Sequence, residues 1–213
     1  MSAPDTEVLM TGFGPFPGVA RNPSGWLVQT LAHTSGAAPG CGLTAAVLPV
    51  GWRDAWGTLE PLLDSLRPRH VILFGVAAQA QGFRLEHRAH NAVAAREDAH
   101  GEHPEGERIL SHGPDTLDAT LPFATVAAAL AAAGLPVEIS HDPGRYLCNA
   151  LLYHTLHWSR ANPPARAGFV HIPHHDPENP DAAPPLDGAR LLTGARLIVE
   201  TAIRQSRKDV ATV

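Results

Sequence analysis

The sequence predicts an α/β fold: a single-domain, three-layer α/β/α sandwich around a mostly parallel central sheet. Two apolar runs, at 71–74 and 168–172, are typical of the fully buried strands of a sheet that is covered on both faces. Strand-like and helix-like segments alternate along most of the chain, which indicates helices packed on both sides of that sheet. The 213 residues contain no linker and no shift in composition, so we expect one domain over residues 1–213.

The first half of the chain carries clear local signals. Asn22 is a predicted N-cap, and Pro23 suits the first helical position, where no backbone N–H is required. Trp56, Leu59 and Leu62 recur at helical spacing and predict a second helix. The predicted elements are strands at 7–11, 43–47 and 71–74 and helices at 23–31 and 53–66.

The second half alternates in the same way. An alanine-rich helix ends there at Gly134, a residue type that favours the left-handed conformation of helix ends. The predicted elements are helices at 125–133, at 148–158 and within 186–207, and strands at 137–140 and 168–172. The polar stretch 90–118 is rich in turn formers, and it could add an antiparallel hairpin at one edge of the sheet.

The composition excludes several classes of protein. A net charge of −5, with 16 basic residues scattered along the chain, is not the pattern of a nucleic-acid-binding surface. No segment approaches the ~18 to 20 apolar residues of a membrane helix, and the first residues lack the features of a signal peptide. Cys41 and Cys148 are the only cysteines, too few for a disulfide framework. We therefore expect a cytoplasmic protein with reduced thiols and interpret Cys41 as structural.

Cys148 is the most informative single residue. A glycine turn at Gly144 leads into a helical pattern that begins at this thiol. A helix start presents unpaired N–H groups and the positive end of the helix dipole, which favour the thiolate and make Cys148 a candidate nucleophile. A free cysteine also often serves as a small buried hydrophobe, so the assignment depends on a base and an acid elsewhere.

His171 and Glu86 are the candidates for those two groups. His171 ends an apolar strand pattern, where α/β sheets expose functional side chains, and Glu86 heads a polar cluster that follows the strand at 71–74 and a loop. Cysteine, histidine and carboxylate would act as nucleophile, base and orienting acid, as in a serine triad. Sequence spacing alone does not bring the three together.

The glycine-rich loop at 12–18 follows the first predicted strand. Its third glycine is misplaced for a dinucleotide fingerprint, and Pro15 and Pro17 remove N–H donors that a phosphate would need. Phe13 and Phe16 suit an apolar ligand as walls of a small flat pocket, or else they fill the core beneath the loop.

The histidines suggest an alternative, a metal-dependent hydrolase. The candidate ligands are His87 and His90 beside Glu86, and a second cluster of His171, His174, His175 and Asp176. The chain has no H-E-x-x-H motif, however, and Pro173 and Pro177 make the second cluster an irregular loop. We therefore predict no metal site.

Four blocks of sequence add more specific information. They are 11–18 with 22–24 (TGFGPFPG and NPS), 48–50 (LPV), 75–96 around Glu86, and 144–149 (GRYLCN) followed by 168–173 (GFVHIP). In content and order these blocks resemble the pyroglutamyl peptidase I family of cysteine peptidases, also called pyrrolidone-carboxylate peptidases. The resemblance spans nearly the whole chain.

This resemblance implies that Cys148 is the nucleophile, His171 the base and Glu86 the acid. The implied substrate is a peptide with an N-terminal pyroglutamyl residue, hydrolysed without a metal or organic cofactor by a protein that forms homo-oligomers. The implied substrate-binding residues are Phe13, Phe16, Asn22 and Arg96. Phe13 and Phe16 would line the pyrrolidone ring, and Arg96 is a candidate to stabilise the oxyanion.

The chain also departs from the family pattern. Val76 and Ala80 replace a glutamine and an arginine, Val93 and Ala94 replace an acidic pair, and the segment 143–145 reads PGR in place of AGT. These changes leave the three catalytic groups intact and alter their surroundings, so they bear on substrate fit and rate. They also leave open a third class, a binding protein that retains the pocket with little catalysis.

Overall fold

The computed structural model describes residues 6–34, 42–175 and 184–211. The strands are β1 (Thr6–Phe13), β2 (Gly42–Leu48), β3 (His70–Val76), β4 (Phe83–Glu86), β5 (Arg88–His90), β6 (Thr116–Asp118), β7 (Val137–Ser140) and β8 (Arg166–Ile172). The helices are α1 (Pro23–His33), α2 (Asp54–Leu66), α3 (Phe123–Ala132), α4 (Leu147–Ala161) and α5 (Gly188–Ala211). Every strand and helix predicted from the sequence is present, with small differences at the ends. Cys41 lies outside the described residues.

Within the described residues the central sheet has six strands, in the order β2-β1-β3-β8-β4-β7. Strands β2, β1, β3 and β8 are parallel to one another, which confirms the mostly parallel sheet. Strand β4 runs antiparallel to β8 and parallel to β7. The expected hairpin at the sheet edge is wrong, because β6, from the polar stretch, pairs instead with β5 in a separate antiparallel sheet.

Helices cover both faces of the central sheet, as predicted. Helix α1 contacts β1 and α5, and α3 contacts α5, so these three form one layer, while α2 and α4 contact each other and form the second. Fully buried side chains such as Phe74, Phe83 and Phe169 fill the core between the layers. Burial of one such side chain contributes about 1.5 to 3 kcal/mol. None of the helices within the described ranges has both the length and the hydropathy to cross a membrane.

Strand β4 is the main element that the sequence did not predict. The sequence pattern places Glu86 in a polar cluster after a loop, whereas it is the last residue of β4. Leu85 lies opposite Val170 of β8, and Glu86 lies opposite Phe169. Because β4 sits between β8 and β7, the Glu86 side chain points into covered structure and has no exposed surface.

Candidate active site

The thiol of Cys148 lies in the first turn of α4, as predicted. Gly144 takes a φ of +84°, a conformation that favours glycine, and the chain then enters the helix at Leu147. At the N-cap, the Tyr146 hydroxyl donates to the Glu97 carbonyl oxygen at 3.0 Å instead of capping the helix. The first N–H groups of α4 therefore keep their positive potential near a free, half-buried thiol.

His171 and Glu86 meet as a buried pair next to this thiol. Strand β8 carries His171 at its carboxyl end, and His171 Nδ1 lies 2.8 Å from Glu86 Oε1. The same imidazole is also hydrogen-bonded to the Cys148 side chain. The structure thus brings together the three residues that the sequence proposed as nucleophile, base and acid.

The electrostatics of the site favour a charged imidazole. Burial alone lowers the pKa of His171, since it disfavours the charged ring, but the charge and hydrogen bond of Cys148 and then those of Glu86 oppose it. The result is that the pKa of His171 is raised to about 9. At neutral pH the ring therefore holds a proton beside the sulfur, an arrangement suited to nucleophilic catalysis.

Gly75 provides the space that this pair occupies. It lies opposite His171 in the β3–β8 register. A β-carbon at this position would lie 2.6 Å from Phe169 Cζ and 3.3 Å from Cys148 Sγ. The strand therefore approaches the thiol closely only because residue 75 has no side chain.

Phe13 and Phe16 occupy different environments. Phe13 ends β1, the neighbour of β3, so it lies at the same edge of the sheet as Gly75, and it is buried. Phe16 is 37% exposed in the following loop. Phe13 and Asn22 both line a cavity of about 310 Å³ beside α1. Its described lining residues do not include Cys148, His171 or Glu86.

Asn22 caps α1 and fixes the loop. Its Oδ1 accepts from the Ser24 backbone N–H at 3.1 Å, which confirms the predicted N-cap, and its Nδ2 donates to the Gly14 carbonyl oxygen at 3.1 Å. Ser24 Oγ in turn accepts from the Phe13 N–H at 3.0 Å. Asn22 thereby positions the aromatic loop, and a direct contact with substrate stays a prediction.

Arg96 lies beside the entrance to α4. Its guanidinium carbon is 4.6 Å from the centre of the Tyr146 ring, a cation–π contact two residues before Cys148. Trp52 packs edge-on against Tyr146 with ring centroids 5.1 Å apart, and its indole N–H donates to the Arg96 carbonyl oxygen at 2.9 Å. These contacts hold an exposed arginine near the first turn of the helix.

Asn149 is a site residue that the sequence reasoning missed. Its buried side chain accepts from the His90 N–H at 2.8 Å and donates to the carbonyl oxygens of His90 and Ala92 at 2.8 and 2.9 Å. The segment that leads to Arg96 is therefore attached directly to the turn that carries Cys148. Its position next to the cysteine was the only signal in the sequence.

The proposed metal-ligand clusters do not assemble within the described residues, where no group of three or more His, Cys, Asp or Glu side chains could hold a metal ion. His87 packs against His141 with ring centroids 5.2 Å apart, and His90 Nε2 lies 3.0 Å from the His141 carbonyl oxygen. His174 is exposed, His175 packs against Trp26, and Asp176 lies outside the described residues.

A cysteine, a histidine and a buried carboxylate at the edge of an α/β sheet define the class of cysteine hydrolases. The chain belongs to the pyroglutamyl peptidase family, whose sequence profile matches residues 6–205. Similar proteins include the pyrrolidone-carboxylate peptidase of Gloeobacter violaceus, 36% identical over 169 residues that cover 79% of this chain and 82% of the relative. The pyrrolidone-carboxylate peptidase of Streptomyces coelicolor is 33% identical over 202 residues, which cover 93% of this chain and 93% of the relative.

Solved structures agree with this assignment. The crystal structure of pyroglutamyl peptidase I from Bacillus amyloliquefaciens matches with a TM-score of 0.83 and 29% identity, over 92% of this chain and 95% of that one. A mutant pyrrolidone carboxyl peptidase from the hyperthermophile Pyrococcus furiosus matches with a TM-score of 0.85 and 30% identity, over 93% of this chain and 98% of that one.

Proposed function

We propose that this chain is a cysteine peptidase that hydrolyses the amide bond after an N-terminal pyroglutamyl residue of a peptide. The observation that carries the proposal is the hydrogen-bonded series from Glu86 through His171 to Cys148. The family and its named relatives indicate the substrate class. The whole chain, 1–213, would form a single catalytic domain.

In the first step the Cys148 thiolate attacks the carbonyl carbon of the scissile amide. His171 in its charged form donates its proton to the departing amine nitrogen as the C–N bond breaks, and a thioester forms on Cys148. Glu86 keeps the imidazole oriented and favours its charged form. This step fits a histidine whose pKa is about 9 and which faces the sulfur.

In the second step water attacks the thioester. The neutral His171 accepts the proton of this water, the C–S bond breaks, and free pyroglutamate leaves while the thiolate–imidazolium pair forms again. The backbone N–H of Cys148, at the start of α4, and Arg96 are the proposed donors to the oxyanion in both steps. Each such donor contributes about 3 kcal/mol in enzymes where one was removed.

The proposed pocket for the pyrrolidone ring contains Phe13, Phe16, Asn22 and Arg96. Phe13 and Asn22 already line one cavity, and their mutual contacts through Ser24 give the loop a fixed shape. Two aromatic rings suit a small flat lactam. Val76, at the carboxyl end of β3, stands where the family motif has a glutamine, so this pocket would offer the lactam fewer polar partners.

The decisive experiment compares chromophore release from a pyroglutamyl amide, a prolyl amide and a glutamyl amide. The proposal expects release from the first only, complete loss in Cys148→Ser, and retained activity in Cys41→Ser. Near-parent hydrolysis by Cys148→Ser would contradict it. Inactivation by a chelator would instead support the metal-dependent class, and tight binding of pyroglutamate without turnover would support the binding protein.

Two further expectations concern the setting of the enzyme. A reactive free thiol suits a reducing compartment, so we propose a cytoplasmic location. The family resemblance also leads us to propose a homo-oligomer, which light scattering of the purified protein tests directly. A molar mass equal to that of a single chain at assay concentration would contradict this assembly.

A further inference from the structure

Arg84 lies next to the catalytic pair but belongs to none of the roles assigned above. It is directly opposite His171 in the β4–β8 register, and Glu86 follows two residues later on the same face of β4. Arg84 Nε is 3.0 Å from Glu86 Oε1, the same oxygen that lies 2.8 Å from His171 Nδ1. One carboxylate oxygen therefore lies between a guanidinium and an imidazolium.

The guanidinium is fixed at its other end. Its Nη2 donates to Ser140 Oγ at 2.8 Å and to the Asp142 carbonyl oxygen at 3.0 Å. The Nε–H is not aligned with a hydrogen-bond acceptor among the described residues, so its contact with Glu86 is an ion pair. Since Asp142 precedes the turn that leads to Cys148, Arg84 links the acid to the segment that carries the nucleophile.

The charge balance of the site gives this contact a role. Glu86 is fully buried, and its Oε2 has no hydrogen-bond partner in the described part of the chain. An ionised carboxylate in such a place is strongly disfavoured unless cations compensate it. A thiolate, an imidazolium and a carboxylate together carry one net negative charge, and Arg84 brings the array to neutrality.

We propose that Arg84 is a positioning residue whose guanidinium keeps Glu86 ionised and oriented, and thereby sets the pH range in which the Cys148 thiolate exists. This inference deepens the proposed function and rests on it for the kinetic readout. A fixed cation 3.0 Å from Glu86 favours the loss of a proton from the acidic groups of the array. Removal of this cation should therefore raise the pH at which Glu86, His171 and Cys148 each lose a proton.

The other charged groups near the array do not offset the charge of Arg84. Glu138 of β7 lies 3.7 Å from Arg84 Nε, and its side chain is 65% exposed, so solvent screens it. Asp142 is already paired with Arg145. From α4 and β8, the facing titratable groups are Cys148 and His171 themselves.

The first test measures the thiolate directly, without a substrate. In a Cys41→Ser background Cys148 is the only thiol, and the rate of its alkylation by iodoacetamide is followed from pH 4 to 10. We expect Arg84→Met to raise the midpoint of this profile by about 0.5 pH unit, because it removes the cation. Arg84→Lys, which keeps the charge, should stay near the parent.

A matched control is Arg88→Met. Arg88 lies four residues after Arg84 and forms an exposed ion pair with Asp118 at 2.7 Å. Its replacement should leave the midpoint unchanged. If Arg84→Met does not fold, as judged by circular dichroism, Arg84→Gln removes the charge while keeping an amide donor and should show the same rise. An unchanged midpoint in the folded neutral variant would overturn the proposal.

The second test uses hydrolysis of the pyroglutamyl amide. Both limbs of the kcat/KM profile of Arg84→Met should move to higher pH by about 0.5 to 1 unit. A role confined to packing would lower the rate without moving either limb, and that outcome would also overturn the proposal. If the parent hydrolyses no pyroglutamyl amide, the proposed function fails, while the alkylation profile still decides the role of Arg84.

Discussion

Gly75 of β3 faces Cys148 of α4, so that a side chain at position 75 would meet the proposed nucleophile. The added β-carbon would lie within 3.3 Å of the sulfur and overlap the buried Phe169 ring at 2.6 Å. A strand, a helix start and a core aromatic therefore converge on one point. The position of the sulfur depends on the packing beneath it as well as on its own helix.

Gly75→Ala should reduce both stability and activity. Phe169 is fully buried and has little room to move, so we expect a loss of about 1 to 3 kcal/mol in the free energy of unfolding, with kcat/KM falling at least tenfold as the sulfur shifts. Urea denaturation and steady-state kinetics measure the two effects. Gly57→Ala in α2 is the control, since its β-carbon meets open space and should stabilise the helix by about 0.5 to 1 kcal/mol. Equal behaviour of the two variants would contradict the contact.

Glu86→Gln should move the basic limb of the activity profile. The glutamine can still accept from His171 Nδ1, but it lacks the negative charge that helps to raise the pKa of His171 to about 9. We expect this limb to move to lower pH and kcat to fall more than KM changes. The pH dependence of kcat/KM is the measurement, with the exposed Glu60→Gln as the matched control. A basic limb that stays at the parent pH would show that Glu86 does not set the charge of His171.

Asn149→Ala should detach the segment 90–96 from the first turn of α4. Removal of the amide leaves the N–H and carbonyl groups of His90 and the carbonyl of Ala92 without their partner, which costs about 3 kcal/mol or more of stability. Because that segment leads to Arg96, kcat/KM should fall as well. Asn162→Ala, at the other end of α4, should lower the unfolding free energy while leaving kcat/KM near the parent value. Parent-like activity in a folded Asn149→Ala protein would contradict the prediction.

His154 should make the protein less stable in mild acid. Burial, followed by the neighbouring His157, lowers the pKa of His154 to about 4, and its ring stacks on Trp56 with centroids 4.7 Å apart. Between about pH 6.5 and 4 this ring is therefore protonated in the unfolded chain but neutral in the folded protein. The contribution of the buried neutral ring to the free energy of unfolding is present above pH 6.5 and is lost as the pH falls through that window.

The variant that tests this effect is His154→Phe, which keeps a stacking ring and cannot take up a proton. Between pH 7 and pH 4 we expect the free energy of unfolding of this variant to fall by about 1 to 3 kcal/mol less than that of the parent. Urea denaturation at the two pH values is the measurement. The same pH dependence in both proteins would show that His154 is not the group responsible.

The positions of Cys148 at a helix start and of His171 at a strand end could be predicted because their signals are local. A cysteine behind a glycine turn at a helix start and a histidine at the end of an apolar strand can each be recognised within about ten residues of sequence. The fold class followed from the same periodicities. The distances within the trio depend on strand order, which no local pattern contains.

Strand β4 could not be predicted from local sequence patterns. It has four residues, two of them charged, and its pairing with β8 joins segments more than eighty residues apart along the chain, as between Leu85 and Val170. Arg84 and Glu86 look like solvated residues in the sequence, because it is the neighbouring strands that bury Glu86 fully and Arg84 in part. The ion pair between them could not be predicted from the sequence for the same reason.

The place of β8 between β3 and β4 also has a consequence for the newly made chain. Without β8, the strands synthesised earlier would form two separate groups, β2-β1-β3 and β4-β7. Ribosomes deliver Glu86 first, then Cys148, and His171 last, on the strand that joins the two groups. An incomplete polypeptide therefore carries Cys148 without its proposed base, and the proposed trio is assembled only when the last strand has been inserted.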